Sequence, residues 1–431
     1  MNHFGLRVRL VVMNFLEFAV WGAYLISMGN FLASHGLGDS IGWFYAVQGI
    51  VSIFMPGLIG IVADRWIQAQ RLLGICHLLA GCFMGAAGYY AIQAGADVQM
   101  APLFTLYAVS VAFFMPTIAL SNSVAFNGLT KVGLDTVKDF PPIRVFGTIG
   151  FIVTMLTVNF LKFQSTPDQF LLSGSLSIAL AIYAQTLPQC PVAQGGGNKT
   201  VVEALGLDAF KLFKQKKMAI FFVFSMLLGV SLQITNGYAN PFISSFGDIP
   251  EYANTFGAHN ANALIALSQL SETFCILLIP FFLKRFGIKR VMMIAMLAWV
   301  LRFGFFGLGN PGTGVWLFIL SMIVYGVAFD FFNISGALFV DQNTNSDIRS
   351  SAQGLFMIMT NGLGATIGTL GAQAVVNHFV YHASEETQLV GWRTSWFLFS
   401  AYALVVLVLF TLAFKERKAA STPEKAPSAK A

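Results

Sequence analysis

Charge is what this chain has least of. Only 10% of its 431 residues are Asp, Glu, Lys or Arg, against about 25% in an ordinary soluble domain. With 56% hydrophobic residues and a mean hydropathy of +0.71, it cannot cover itself for water, so most of its surface must face lipid. Cysteine is also sparse. Cys76, Cys82, Cys190 and Cys275 form no CxxC pair, which argues against a disulfide framework and against a metal site. No phosphate-cradling loop is present, which argues against ATP-driven work by this chain. Without a nucleophile–base constellation or a His/Cys cluster, neither an enzyme nor a cofactor is expected.

What the chain has in quantity is Phe, 43 residues, and Gly, 41. Lipid-facing aromatics and close-packed small residues are common in membrane bundles. Apolar runs of about 20 residues predict helices near 9–33, 41–63, 71–94, 101–125, 143–163 and 168–188. A second set falls near 218–243, 260–284, 290–309, 313–338, 351–377 and 392–414. The first run is too long for a signal-peptide core and is expected to stay as a membrane helix. Four segments are therefore expected: a six-helix half over 1–188, a linker over 189–217, a second half over 218–414 and a disordered tail over 415–431. The linker combines Pro and Gly breakers with a short amphipathic stretch, Leu207, Phe210 and Phe213 sharing a face, and is expected to lie on the membrane surface.

Basic residues fix an expected orientation. Arg7, Arg9, Arg65, Arg71, Lys131, Lys138, the linker lysines, Lys284, Arg285, Lys289, Arg290, Arg349 and the tail lysines all fall on one side. Only Lys162 and Arg393 fall on the other. The positive-inside rule makes both termini and the linker cytoplasmic. The net charge of +6 is then a topology signal, and a nucleic-acid partner is not implied.

Six spans, a linker and six more suggest a duplicated architecture. The turn GIVADRWIQAQR (60–71), with Asp64 and Arg65 as a candidate gating pair, resembles the short loop signature of the major facilitator superfamily. IPFFLKRFGIKR (279–290) keeps its basic residues and lacks the Asp. An all-α membrane protein of twelve transmembrane helices in two halves, with that superfamily's fold, is the expectation.

Five ionisable residues fall inside predicted spans: Glu17, Arg144, Glu272, Arg302 and Asp330. Each costs about 2.5–3.5 kcal/mol at a helix centre on insertion scales, so each should face a wet interior or a partner. Arg302, whose neighbours LRFGFF offer no polar companion, is read as equally consistent with a snorkelling or structural role. Residues three, four and seven apart share a helix face. That spacing aligns Arg144, Thr148 and Phe151; Gln233, Asn236 and Asn240; Gln269 and Glu272; Asp330 and Asn333; and Asn14, Glu17 and Trp21. These stripes lie in both halves and should converge on a central cavity. His77, near a span end, reads as structural. Amides match the edges of a nucleobase and an aromatic ring can stack on its face. Sugar hydroxyls suit the same inventory, so a sugar or oligosaccharide:proton symporter fits these residues equally well. An exporter of drugs or metabolites fits them too, as does a receptor that binds without transporting.

The strings FPPIRVFGTIGF (140–151), LQITNGYANPF (232–242), SQLSETFCILLIPFFLKRFGIK (268–289), SMIVYGVAFDFFNISGALFV (321–340) and RSSAQGLFMIMTNGLG (349–364) narrow that choice. With LGLDAFKLFKQKKMAIFFVFSMLLG (205–229), they resemble the bacterial nucleoside:proton symporters of the nucleoside-permease and xanthosine-permease type, over nearly the whole chain. The resemblance implies a proton-coupled nucleoside importer (uridine, adenosine or similar) working by alternating access. It implies a monomer in the bacterial inner membrane. It carries the substrate site onto Arg144, Thr148, Phe151, Gln233, Asn236, Gln269, Glu272 and Asp330, and adds Tyr325 and Phe329. Asp330 and Glu272 are the expected proton-coupling residues, since desolvation favours the neutral form of a carboxyl and makes it titratable in cells. Glu17 departs from the family, where Gln is expected; it either alters proton coupling or sits hydrogen-bonded as Gln would.

Overall fold

A computed structural model describes residues 3–190, 207–344 and 349–414. Residues 191–206 of the linker and the tail from 415, as well as the side chains of Asp64 and Arg65, lie outside what is described. Among the described residues the regular structure is helical throughout, as lipid requires: only a helix satisfies every backbone group of an isolated spanning segment internally.

The first set of helices is α1 (His3–Gly22), α2 (Met28–Ser34), α3 (Ile41–Arg65), α4 (Ala69–Ala94), α5 (Met100–Lys131), α6 (Thr136–Phe160) and α7 (Asp168–Tyr183). The second set is α8 (Lys216–Leu232), α9 (Ile234–Ser245), α10 (Ala261–Leu308), α11 (Val315–Gln342), α12 (Arg349–Met357), α13 (Ala365–Val376) and α14 (Gln388–Ala413). Nine helical segments among the described residues are long and apolar enough to cross a membrane. One of them, α10, is two spans joined at Gly287, whose φ of 77° breaks the helix and suits glycine because it has no Cβ. Two further spans escape a simple length test. α1 and α2 form one span broken over residues 23–27, and α7 has only 16 helical residues. Together these make the twelve expected.

Two spans are discontinuous in corresponding places. The first breaks between α1 and α2, and the seventh at Gln233, between α8 and α9. Span 11 stays continuous from α12 to α13 through a π-helical run, Ile358–Gly364. After the undescribed part of the linker, Leu207–Lys214 forms a 3-10 helix. It buries Ala209 and Leu212 and sets Phe213 5.5 Å from the ring of Phe222.

The two sets of helices are bonded to each other at the end away from the basic loops. Asn159 of α6 donates to Asn260 (2.8 Å), and Asn240 of α9 donates to Gln164 (3.0 Å) and Asn262 (2.6 Å). Between α13 and the first set, Gln373 accepts from the Gly42 amide at the start of α3 and donates to the Gly38 carbonyl just before it (3.3 Å). Gly29 meets Gly237 so closely that a Cβ would overlap the Gly237 carbonyl. That end is shut.

Candidate substrate chamber

Midway along the helices, half-buried polar side chains of the two sets come within electrostatic reach of each other, Arg144 on α6 and Glu272 on α10. On α6, Arg144 and Thr148 are half-buried and Phe151 is buried. The Arg144 guanidinium lies 3.9 Å over the ring of Phe18 on α1, a partner that its own stripe did not reveal. Phe151 meets Trp21 edge-on at 6.5 Å, and Trp21 donates to Gln48. An aromatic wall therefore lines the side contributed by the first set.

Opposite it, Gln233 sits at the break between α8 and α9 and accepts from the Asn236 amide at 2.8 Å. Both are half-buried. Breaking a helix at this depth frees backbone and amide groups to face a cavity, which is where discontinuous spans are tolerated. Gln269 and Glu272 on α10 are half-buried on one face. Tyr325 and Phe329 on α11 stack at 5.6 Å with planes 15° apart.

The two carboxyls come within electrostatic reach because α10 and α11 cross closely. A Cβ on Gly326 would come within 2.6 Å of the Ser271 carbonyl oxygen, and the Ser271 hydroxyl donates to the Ile323 carbonyl. Glu272 follows Ser271 and Asp330 lies one turn beyond Gly326. The two sit within electrostatic reach of each other, and Glu272 within reach of Arg144. Asp330 is 5% exposed and its Oδ2 has no hydrogen-bond partner. An unpartnered carboxyl oxygen at this depth is costly as a carboxylate, and a bound proton or a substrate hydroxyl relieves that cost.

Several residues from the stripes lie elsewhere. Asn240 belongs to the shut end, bonded to Gln164 and Asn262. It continues the stripe of Gln233 and Asn236 but lies deeper along the helix. Asn14 is buried and donates to the carbonyl of Leu10 in its own helix. Glu17 is sealed inside the first set, accepting from Thr117 (2.6 Å) and bonded to His77 Nε2 (2.9 Å). Arg302 does not snorkel: it is 2% exposed and its polar companions are Ser321 on α11, Thr235 on α9 and Ser268 on the first arm of α10. Asp64 and Arg65 close α3, with side chains outside the described set. No group of three or more His, Cys, Asp and Glu among the described residues could hold a metal ion.

The geometry has counterparts among known proteins. The family model described as nucleoside H+ symporter matches residues 4–419. The xanthosine permease of Escherichia coli (strain K12) is 46% identical over 414 residues, 95% of this chain and 96% of the relative. The nucleoside permease NupG of the same organism is 43% identical, with the same coverage. A crystal structure of the nucleoside transporter NupG superposes with a TM-score of 0.88 at 42% identity, over 97% of this chain and all of that one.

Proposed function

The chain belongs to the nucleoside H+ symporter family, and on that premise we propose how its own residues bind nucleoside and couple its uptake to a proton. It is a nucleoside:proton symporter of the major facilitator type, a multi-pass membrane transporter that works by alternating access. The base lies between Phe151 and the Tyr325–Phe329 pair, with Gln233, Asn236 and Gln269 reading its polar edge. Arg144 and Thr148 close the side formed by the first set. Glu272 and Asp330 take the ribose hydroxyls, and Asp330 carries the driving proton.

The observation behind this assignment is the unpartnered Oδ2 of Asp330 beside Glu272, within the half-buried amides and the aromatic pair. Two carboxyls this near each other resist carrying two charges at once. A proton on one of them is therefore the resting condition when no cation offsets the pair. Arg144, on the opposite set and within electrostatic reach of Glu272 here, supplies such a cation, and the rocking of the halves changes its distance. Proton release and the rocking of residues 1–188 against 218–414 are linked in this way.

The basic loops, by the positive-inside rule, face the bacterial cytoplasm, with both termini there. The shut end then faces outward, and this is the cytoplasm-facing state of a monomer in the inner membrane. Uridine, adenosine and related nucleosides are the substrates.

The test is uptake of radiolabelled uridine by bacteria lacking their own nucleoside transporters, with a competitor panel of adenosine, xanthosine and free sugars. Concentrative uptake that a protonophore abolishes is expected. One proton moved through about 100 mV supplies roughly 2.3 kcal/mol, or about fifty-fold accumulation. Asp330→Asn should lower accumulation to the level of passive equilibration while still exchanging nucleoside. Undiminished accumulation by that variant removes Asp330 from the coupling.

A further inference from the structure

Arg302 has no place in the coupling scheme, yet it is the most deeply buried cation near the chamber. Its guanidinium is held from three other segments. Nη1 donates to the Ser321 carbonyl on α11 at 2.7 Å and to the Ser268 hydroxyl on the first arm of α10 at 3.4 Å. Nη2 donates to Thr235 on α9 at 3.2 Å. Its Nε is buried without a partner. Among the described residues no carboxylate lies within ion-pairing distance of it.

What faces this charge is aromatic. The Arg302 carbon Cζ lies 4.4 Å from the centre of the Tyr325 ring, and Tyr325 in turn stacks in parallel on Phe329. Trp299, one turn before Arg302, meets Tyr325 edge-on at 6.1 Å. The guanidinium and Phe329 both contact the Tyr325 ring, and of the three only Phe329 is half-exposed. A desolvated cation–π contact of this kind is among the stronger ones.

Each hydrogen-bond partner of Arg302 is also next to a proposed binding residue. Thr235 lies between Gln233 and Asn236, Ser268 precedes Gln269, and Ser321 is one turn before Tyr325. A single planar fork therefore fixes the backs of three segments whose fronts line the chamber. We propose that Arg302 is a positioning residue for the nucleobase end of the site, acting through Tyr325 to set the angle and depth of the Phe329 platform. It touches no substrate itself. Lysine does not replace it, because a point-like ammonium has neither the flat face that stacks nor the fork that spans α9 and α11.

This inference rests on the nucleoside-site assignment, and a double-mutant cycle separates the two. Equilibrium binding of labelled uridine to purified protein is measured for the unaltered chain, Arg302→Gln, Tyr325→Leu and the double variant. Loss of the cation–π contact should weaken binding about 10-fold in Arg302→Gln. On the Tyr325→Leu background the same change should cost less than about twofold, because its effect passes through the missing ring. Arg302→Lys should stay close to Arg302→Gln.

Equal losses on both backgrounds, or none in Arg302→Gln, overturn the proposal. If Arg302→Gln does not elute as a single folded species, Thr235→Val takes its place in the cycle. It removes one bond to the guanidinium and should show the same non-additivity at about threefold. Folded, unaltered protein that binds no nucleoside would instead sink the site assignment.

Discussion

Glu17 and His77 share a pocket that exposes neither of them to solvent. Glu17 accepts from Thr117 and is bonded to His77, whose other ring nitrogen is bonded to Ser177. Four helices, α1, α4, α5 and α7, are tied by this one chain of contacts. A glutamine at position 17 keeps every link: its carbonyl accepts from His77, its amide donates to Thr117, and Thr117 already donates to the Phe114 carbonyl. Glu17→Gln should therefore fold within about 1 kcal/mol of the unaltered protein and keep protonophore-sensitive uptake. Glu17→Leu leaves His77 Nε2 without its partner, at about 1–3 kcal/mol. A thermal scan with a thiol-reactive dye reads both, because Cys76, Cys190 and Cys275 are buried until the chain unfolds. Loss of concentrative uptake in a well-folded Glu17→Gln protein would instead make Glu17 a proton carrier. The sequence leaves these two roles open because local spacing gives a residue's helix face but not its partner on another helix. Arg302 shows the same gap: nothing in LRFGFF points to Thr235 or Ser321.

Among elements, the contact of α1 with α6 depends on two glycines, one on each helix. A Cβ on Gly150 would overlap the Phe15 carbonyl oxygen, and one on Gly22 the Phe151 carbonyl oxygen. This crossing sets Phe18 under Arg144 and Trp21 against Phe151, so the packing of two helices fixes one wall of the chamber. Gly150→Leu should destabilise the protein by about 1–3 kcal/mol through overpacking and raise the KM for uridine. Gly371→Ala in α13, where an added Cβ meets nothing within 4 Å, should leave both unchanged or stabilise slightly. Equal behaviour of the two variants in thermal unfolding and uptake would show that the crossing tolerates a wider spacing. Span number is legible at this scale, since apolar runs of about 20 residues need no tertiary information. The break at Gln233 is not, because LQITNG contains no strong helix breaker at the break itself. Asn240 leaves the chamber for a related reason: four residues beyond Asn236 on the same face, it lies about 6 Å further along the axis, at the shut end. Periodicity measures angle and is blind to depth.

Alternating access requires the whole molecule to part the amide cluster at the shut end in every cycle. Asn159 bonds Asn260 and the Ala263 amide; Gln164 bonds the His259 carbonyl, Asn240 and the Asn262 amide. All five of these contacts cross from the first set of helices to the second. Interhelical hydrogen bonds of this kind average about 0.6 kcal/mol, so the five together favour the shut arrangement by about 3 kcal/mol, or roughly 100-fold in population. The doubly substituted Asn159→Ala, Gln164→Ala protein should populate the open arrangement appreciably without substrate. Spin labels at cysteines introduced for Leu161 and Phe256, both exposed at this end and one in each set, on a Cys82→Ser background, report the distance between the sets. A single short distance is expected without the two substitutions, and a second, longer one with them. Uptake at saturating uridine should fall as well, because the cycle then spends its time in a state that the clamp no longer resolves. An unchanged distance distribution would mean that the backbone contact at Gly29 and Gly237, together with the bonds of Gln373 to Gly42 and Gly38, holds the end shut without the amides.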